Sequence, residues 1–305
     1  MKKMNSYFLI ILLVAFTGTS FSQIEITLRK SFIDSIKNRV SIDAEYYIVK
    51  MHAHPNPPSE DGDMHIAGYC SNIGLPLVSE VMNAKYEDDV VDTLRKFEGT
   101  DTPVHLNGAW RIWCEHSGND KQEQGAAFPP ITGTNPDHVF ELHPVLMVND
   151  QNLLPSLRAI TGYKYKDAEK AFNRYAIATC RLEDRGDRVY METKGVGYNY
   201  AEYWISILDT TGFVASDGRF VNCRVEDKDG RTVYNKMRMA FPEGSRAELK
   251  VKDLTYGEKM HVLGIPRVNL SLLSYRIKHA ADKPYMLEWN LPVEMIVVAD
   301  LDNQE

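Results

Sequence analysis

The sequence predicts a mostly β protein: an OB-like five-stranded barrel carrying one helix, followed by a β-sandwich or a second β-barrel. Three observations lead there. Short β-branched and aromatic runs bounded by Gly, Pro and Asn recur along the chain. Between residues 46 and 150 their order is three strands, a helix and two strands, the order of an OB-type barrel. Beyond residue 176 strand-like runs follow one another, with turn signals such as Asp217-Gly218 and Asp229-Gly230 between them.

Residues 1–22 read as a cleavable signal peptide. Lys2 and Lys3 give a positive start, Tyr7 to Phe16 is an uncharged apolar run too short to span a bilayer, and Ser20-Phe21-Ser22 offers small residues for cleavage. No cysteine follows the apolar run, so a lipoprotein is not indicated, and no later run reaches the ~18 apolar residues of a membrane span. The expected location is periplasmic or secreted.

Residues 23–45 read as a leader segment or short helix. The acidic OB-like domain is expected over 46–150. Its first strand is Tyr46–His54, ended by Pro55-Asn56-Pro57-Pro58; its second and third are about Asp63–Tyr69 and Pro76–Met82. Glu87–Phe97 has Val90, Val91, Leu94 and Phe97 at helical spacing, with acids early and Arg95 and Lys96 late. The fourth strand, Val104–Trp113, alternates: Leu106, Gly108 and Trp110 fall on one face, His105, Arg111 and Trp113 on the other. A long loop, Ser117–Asp137, leads to the fifth strand, His138–Val148.

Residues 151–175 are expected to form a helical connector, with Tyr165–Tyr175 amphipathic. The β-sandwich or second barrel occupies 176–305, and Ala247–Leu254 and Leu272–His279 are among its expected strands. Leu249–Asn269 has the rhythm of Leu94–Trp113, each reaching a strand with His-x-x-Gly, at His105–Gly108 and His261–Gly264. The shared rhythm fits a second barrel of related shape, although a two-point match is weak and chance similarity of β-strands explains it more readily.

The formal net charge is −7, and it is unevenly spread. Residues 46–150 hold 6 Lys/Arg against 16 Asp/Glu, whereas 160–305 hold 22 of each. An acidic half repels phosphate backbones, which disfavours nonspecific nucleic-acid binding, and concentrates cations. Cys70 and Cys114 lie in the first half, Cys180 and Cys223 in the second; one disulfide per half and four buried thiols fit equally well. No C-x-x-C supports a zinc ribbon, no G-x-S-x-G a serine nucleophile, and no G-x-G-x-x-G a nucleotide cofactor.

Histidine placement is the anomaly. Seven of the nine histidines fall between His52 and His143, interleaved with carboxylates at strand spacing. Asp61, Asp63 and His65 recur at every second residue, as do Glu141 and His143; Glu80 interrupts an otherwise apolar strand, and Glu115-His116 closes the fourth. Imidazole nitrogen with carboxylate oxygen is the ligand set of a divalent transition metal, and about three such ligands leave a catalytic position open. We therefore take Asp63, His65 and His143 as candidate metal ligands, Glu80 or Glu141 as the base, and Asp61, Glu115 and His116 as additional candidates. Zinc, manganese and calcium are the candidate ions, Asp-x-Asp being the feature that suits calcium. Trp113, placed on the polar face, is a candidate ligand platform.

Asp61-Gly-Asp-Met-His65, Glu80, Asn107-Gly-Ala-Trp110, Glu115-His116 and Glu141-Leu-His-Pro144 together resemble a module of small secreted bacterial proteins with a D-G-D-x-H, Ala-Glu, T-G-x-W/Y, Glu-His and E-I-H-P pattern. The resemblance covers about residues 46–150. The chain departs from the pattern in Asn107 for Thr, Ser79 before Glu80 and a longer loop after His116. It implies an OB-like exported module and no particular reaction.

Two functions follow from these residues. One is an exported metal-dependent hydrolase. The other is a non-catalytic module that binds an extracellular glycan or protein, or builds an envelope structure, with the polar cluster as a structural network.

Overall fold

The computed structural model describes residues 23–115, 121–209, 212–280 and 287–302; the expected signal peptide lies outside them. Two five-stranded barrels, each closed on itself, account for most of the β structure. The first is built from Ser41–Met51, Met64–Tyr69, Pro76–Val81, Val104–Ile112 and Phe140–Val148. Its third and fifth strands pair in parallel and every other neighbour is antiparallel, so the strands run 1-2-3-5-4 around the barrel. Helix Asp88–Arg95 lies between the third and fourth strands and buries Val90, Val91 and Leu94. This is OB-like connectivity. The first strand starts earlier than expected because Ser41–Tyr46 pairs with Val104–Ala109.

The second half is a second barrel rather than a sandwich. Ala201–Ile207, Gly218–Glu226, Thr232–Pro242, Lys259–Val268 and Val293–Asp300 repeat the same order, again with the third and fifth strands parallel. Helix Arg246–Val251 sits at the same point of the connectivity. A strand was expected there. Ser245 instead caps a helix by accepting a hydrogen bond from the Glu248 amide, the start signal of an S-x-x-E box. Leu272–His279, also expected as a strand, belongs to helix Leu270–Ala280, where Leu270, Leu273 and Ile277 are buried at helical spacing.

The His-x-x-Gly match marks equivalent positions. His105 and His261 both lie on fourth strands and both contact acids on first strands: Nδ1 of His105 is 3.0 Å from Glu45, and Nε2 of His261 is 3.0 Å from Glu202. Gly108 and Gly264 both lie at bulges where the fourth strand crosses the fifth. A Cβ on Gly108 would stand 2.8 Å from Leu142 Cβ; on Gly264 it would stand 2.2 Å from the Tyr203 hydroxyl and 3.0 Å from the Ile296 carbonyl. Three residues further on, Arg111 pairs with Glu141 and Arg267 with Glu294, all four buried.

The same two arginines join the barrels reciprocally. Arg111 Nε donates to the Pro266 carbonyl (2.8 Å) and Arg267 Nη1 to the Trp110 carbonyl (2.9 Å). Each guanidinium thus satisfies a carboxylate in its own barrel and a backbone acceptor in the other, which is what a buried arginine requires.

A third, open sheet has the order Leu287–Asn290, Thr179–Arg185, Arg188–Lys194, Gln23–Arg29, Lys121–Glu123. Residues 23–29, expected within a leader, form an antiparallel strand against Arg188–Lys194, burying Ile24, Ile26 and Leu28; helix Lys30–Ile36 follows. The expected connector contains helix Ala168–Ala176, capped by Asp167. All four cysteines are buried free thiols.

Candidate metal centre

The bottom of the first barrel collects the acids and imidazoles. Asp63 precedes the second strand, His65 lies on that strand directly opposite Glu80 on the third, and His143 lies on the fifth. Asp63 and His143 are 0% exposed and Glu80 is 1% exposed. His143 Nδ1 is 3.3 Å from Glu80 Oε2, and its Nε2 is 3.4 Å from Asp63 Oδ2. One ligand atom from each of the three residues falls within 4.8 Å of the other two. His65 Nε2 approaches Glu80 Oε2 at 3.5 Å from the outer side. Among the described residues, Glu80 Oε2, His143 Nδ1 and His65 Nδ1 have no hydrogen-bond partner. Glu80 Oε2 and His143 Nδ1 nevertheless face each other as an ion pair, which leaves His65 Nδ1 as the one of the three with neither a hydrogen bond nor an ion pair, and buried polar atoms are normally satisfied.

The fields here are strong. Burial, with Glu141 and Asp63 adding to it, pushes the Glu80 carboxyl up to about 7 against the pull of His143. For His143 burial favours the neutral ring, yet Glu80, Asp63 and Glu141 outweigh it and push the imidazole up to about 10. Burial lowers His65 below the usual histidine range. Glu141 is buried too, but Arg111 at 2.5 Å and His138 at 3.2 Å hold it well below the carboxylate range. Glu141 is therefore committed to an ion pair. Asp61, at the turn before the second strand, is raised to about 6 by burial and by Asp63.

The second barrel provides an internal control. Register pairs Arg111 with Glu141 and Arg267 with Glu294, which places Ile296 where the first barrel has His143 and Ala240 where it has Glu80. The scaffold closes with apolar side chains at those points. Glu80 and His143 are not required by the connectivity.

Residues from the second half complete the site. Tyr200, just before the second barrel, is buried; its hydroxyl donates to Asp63 Oδ2 (2.5 Å) and lies 2.8 Å from His143 Nε2. Beside the cluster a cleft of about 250 Å³ is lined by Glu60, Asp61, His65, Glu115, Tyr163, Lys166, Tyr198 and Asn199. Asp61 at φ 130° and Tyr198 at φ 82° hold backbone conformations that side chains of their size disfavour. Both line this cleft, and strained residues collect at functional sites.

The sequence candidates divide. Asp63, Glu80 and His143 converge. His65, Asp61 and Glu115 line the cleft, Glu115 lying 3.5 Å from Arg111. His116 lies outside the described residues. Trp113, expected on the polar face, is 1% exposed and packs edge-on against Tyr175, which leaves no exposed ring face for a ligand. The bulge at Gly108 explains this: the fourth strand alternates up to that point and is buried on both faces after it. The same bulge hides Arg111, whose role the alternating pattern missed. Tyr200 was missed as well, because a tyrosine in an aromatic run carries no sign of which acid its hydroxyl meets. His138 went unassigned, although its spacing to Glu141 was visible.

No helix among the described residues is long and apolar enough to cross a membrane. No protein-family model matches the chain, and no curated protein matches it. Among solved structures, one described as "Structure of murine DNA binding protein bound with ds DNA" is 10% identical, covers 85% of this chain and 98% of that chain, and has a TM-score of 0.20. Another, "Structural mimicry for functional antagonism", is 9% identical over 77% of this chain and 90% of that chain, with a TM-score of 0.17. Overlaps this loose carry no argument about function.

Proposed function

We propose that this chain is an exported metal-dependent hydrolase whose single divalent ion is held by Asp63, Glu80 and His143. The observation that carries the reading is the convergence of three ligand atoms within 4.8 Å in a barrel whose twin fills the same positions with Ala240 and Ile296. The donor set fits: one imidazole with two carboxylates suits zinc or manganese better than calcium, which prefers oxygen alone. Glu80 Oε2 and His143 Nδ1, which face each other at 3.3 Å without hydrogen-bond geometry, are the atoms such an ion would take up.

A bound divalent ion would supply a water that ionises near neutral pH. The chain's own residues do the rest. His65 lines the cleft with Nδ1 unpartnered, in position to accept a proton, and Glu80 steadies its other nitrogen. Tyr200 orients Asp63. Glu141, held by Arg111 and His138, fixes the fifth strand's polar end rather than acting as a base.

One observation favours a second reading, a structural ion network in an exported glycan- or protein-binding module. The His143 ring stands between Asp63 and Tyr200 on one nitrogen and Glu80 and Glu141 on the other, an arrangement that also suits an imidazolium without any ion. Elemental analysis of protein purified without chelator or affinity metal separates the two. The hydrolase reading expects near-stoichiometric zinc or manganese that is lost in His143→Ala. Metal-free protein whose melting ignores added zinc and manganese, together with a destabilised His143→Ala, establishes the network instead.

A further inference from the structure

The second barrel carries an aromatic side chain on its outer face. In Ala201–Ile207, Tyr203 and Ile205 point into the barrel and are buried, while Glu202 and Trp204 alternate to the outside and are half-buried. His261, on the neighbouring fourth strand, lies directly opposite Trp204, and the two rings stack at 3.9 Å with 2° between their planes. One face of the indole is thus used up. The other looks away from the fourth strand, towards a cleft of about 400 Å³ that Trp204 lines and His261 does not. The cleft exists because the first strand changes partner here: Glu202 pairs with Asp167 and Trp204 with Glu226, leaving a notch between the two neighbours. Asp167 and Glu169 form one wall and the turn Asp227–Arg231 the other.

The first barrel again provides a control. Its register puts Glu45 where the second barrel has Trp204, each opposite the equivalent histidine, and Glu45 is exposed and simply pairs with His105. The scaffold does not call for an indole at this point, so the ring facing the cleft is an apolar platform in excess of what the fold needs. The walls select what can lie on it. Five carboxylates against Lys228 and Arg231 repel a phosphate or a carboxylate. A simple cation finds the acids engaged: Asp227 and Asp229 pair with Arg231 at 2.9 and 3.1 Å, Glu202 pairs with His261 at 3.0 Å, and Asp167 caps a helix. A neutral polyol meets both constraints. Each hydroxyl donates and accepts, which suits carboxylates that keep lone pairs beside a guanidinium that keeps N–H groups, and the side chains of Asp229 and Arg231, 57% and 68% exposed, are reachable from solvent.

We propose that this cleft binds a neutral saccharide, one pyranose ring lying with its C–H face on Trp204 and its hydroxyls on Asp229, Arg231 and Glu169. The volume suits a mono- or disaccharide. The site does not rest on the hydrolase reading: it needs no metal and uses none of the metal-centre residues.

The test is calorimetric titration of the full chain, in chelator and with added zinc. Cellobiose, maltose, lactose, mannobiose and N,N′-diacetylchitobiose are the neutral probes, choline the cation and inorganic phosphate the anion. Saturable binding of a neutral disaccharide, weakened at least tenfold in Trp204→Ala and at least threefold in Arg231→Ala, supports the proposal, and Trp204→Phe should keep more of the affinity than Trp204→Ala. Arg231 is exposed, so its variant gives the answer even where Trp204→Ala fails to fold. The proposal is overturned if none of the disaccharides binds, if their binding survives the substitutions unchanged, or if choline or phosphate binds in their place. Saccharide binding by a protein that holds no metal would leave this site standing and remove the hydrolase. Stoichiometric metal without saccharide binding would do the reverse.

Discussion

Metal-free protein should lose stability as pH rises from about 5 to about 6.5, and Glu80→Gln should remove Glu80's share of that loss. Glu80 is 1% exposed, and its carboxyl moves from 4.5 to about 7 on folding, chiefly through burial. A carboxyl raised in the folded state contributes stability that is complete below its unfolded value and disappears as pH climbs through the folded one. Each pH unit inside the window corresponds to ~1.4 kcal/mol. Across the roughly 1.5 units named, wild type should lose about 2 kcal/mol through this residue, and the glutamine variant nothing. Asp61, raised to about 6, adds a decline in both proteins, and His65, lowered by burial, adds a rise in both. The difference between the two proteins reports Glu80 together with what its charge does to Asp61 and His143. Urea unfolding in chelator at several pH values reads it directly. A difference that stays flat, or grows with pH in favour of wild type, would refute the claim that burial keeps Glu80 protonated.

Three further outcomes follow from the packing. Arg267→Met takes a donor from the Trp110 and Val40 carbonyls, leaves the Arg39 carbonyl to the Trp110 indole N–H and leaves Glu294 to Arg238 alone; it should cost about 3–5 kcal/mol in urea unfolding. Gly264→Ala places a Cβ 2.2 Å from the Tyr203 hydroxyl, so it should destabilise by about 2 kcal/mol or more, and Tyr203→Phe should return part of that in a double-mutant cycle. Native protein should resist alkylation near pH 8, since the thiols are buried and Cys114 and Cys180 are pushed up to about 12 and about 11, whereas unfolded protein should label at all four cysteines.

The strand order of the first barrel was legible because its elements carry their own boundaries: prolines after the first strand, Asp61-Gly62 before the second, acids early and bases late in the helix. The convergence of Asp63, Glu80 and His143 was legible in part, since period-2 spacing selects residues for one face and an OB-like order brings the second, third and fifth strands together. Alternation failed at Gly108, where a bulge and the second barrel bury both faces, so Trp113 and Arg111 were misplaced. Two helices were read as strands because short apolar runs satisfy both periods, and only packing chooses between them.

The sequence by itself determined the acidic half, the β-rich class and the residue types that could hold a metal, because composition and local spacing are properties of the chain alone. Only the tertiary structure decided that Tyr200 reaches Asp63 from 137 residues away, that Arg111 and Arg267 answer each other across two barrels, and that the barrels are alike. Those contacts depend on how closed sheets pack, and a side chain's partner across such an interface leaves no periodic trace in the sequence.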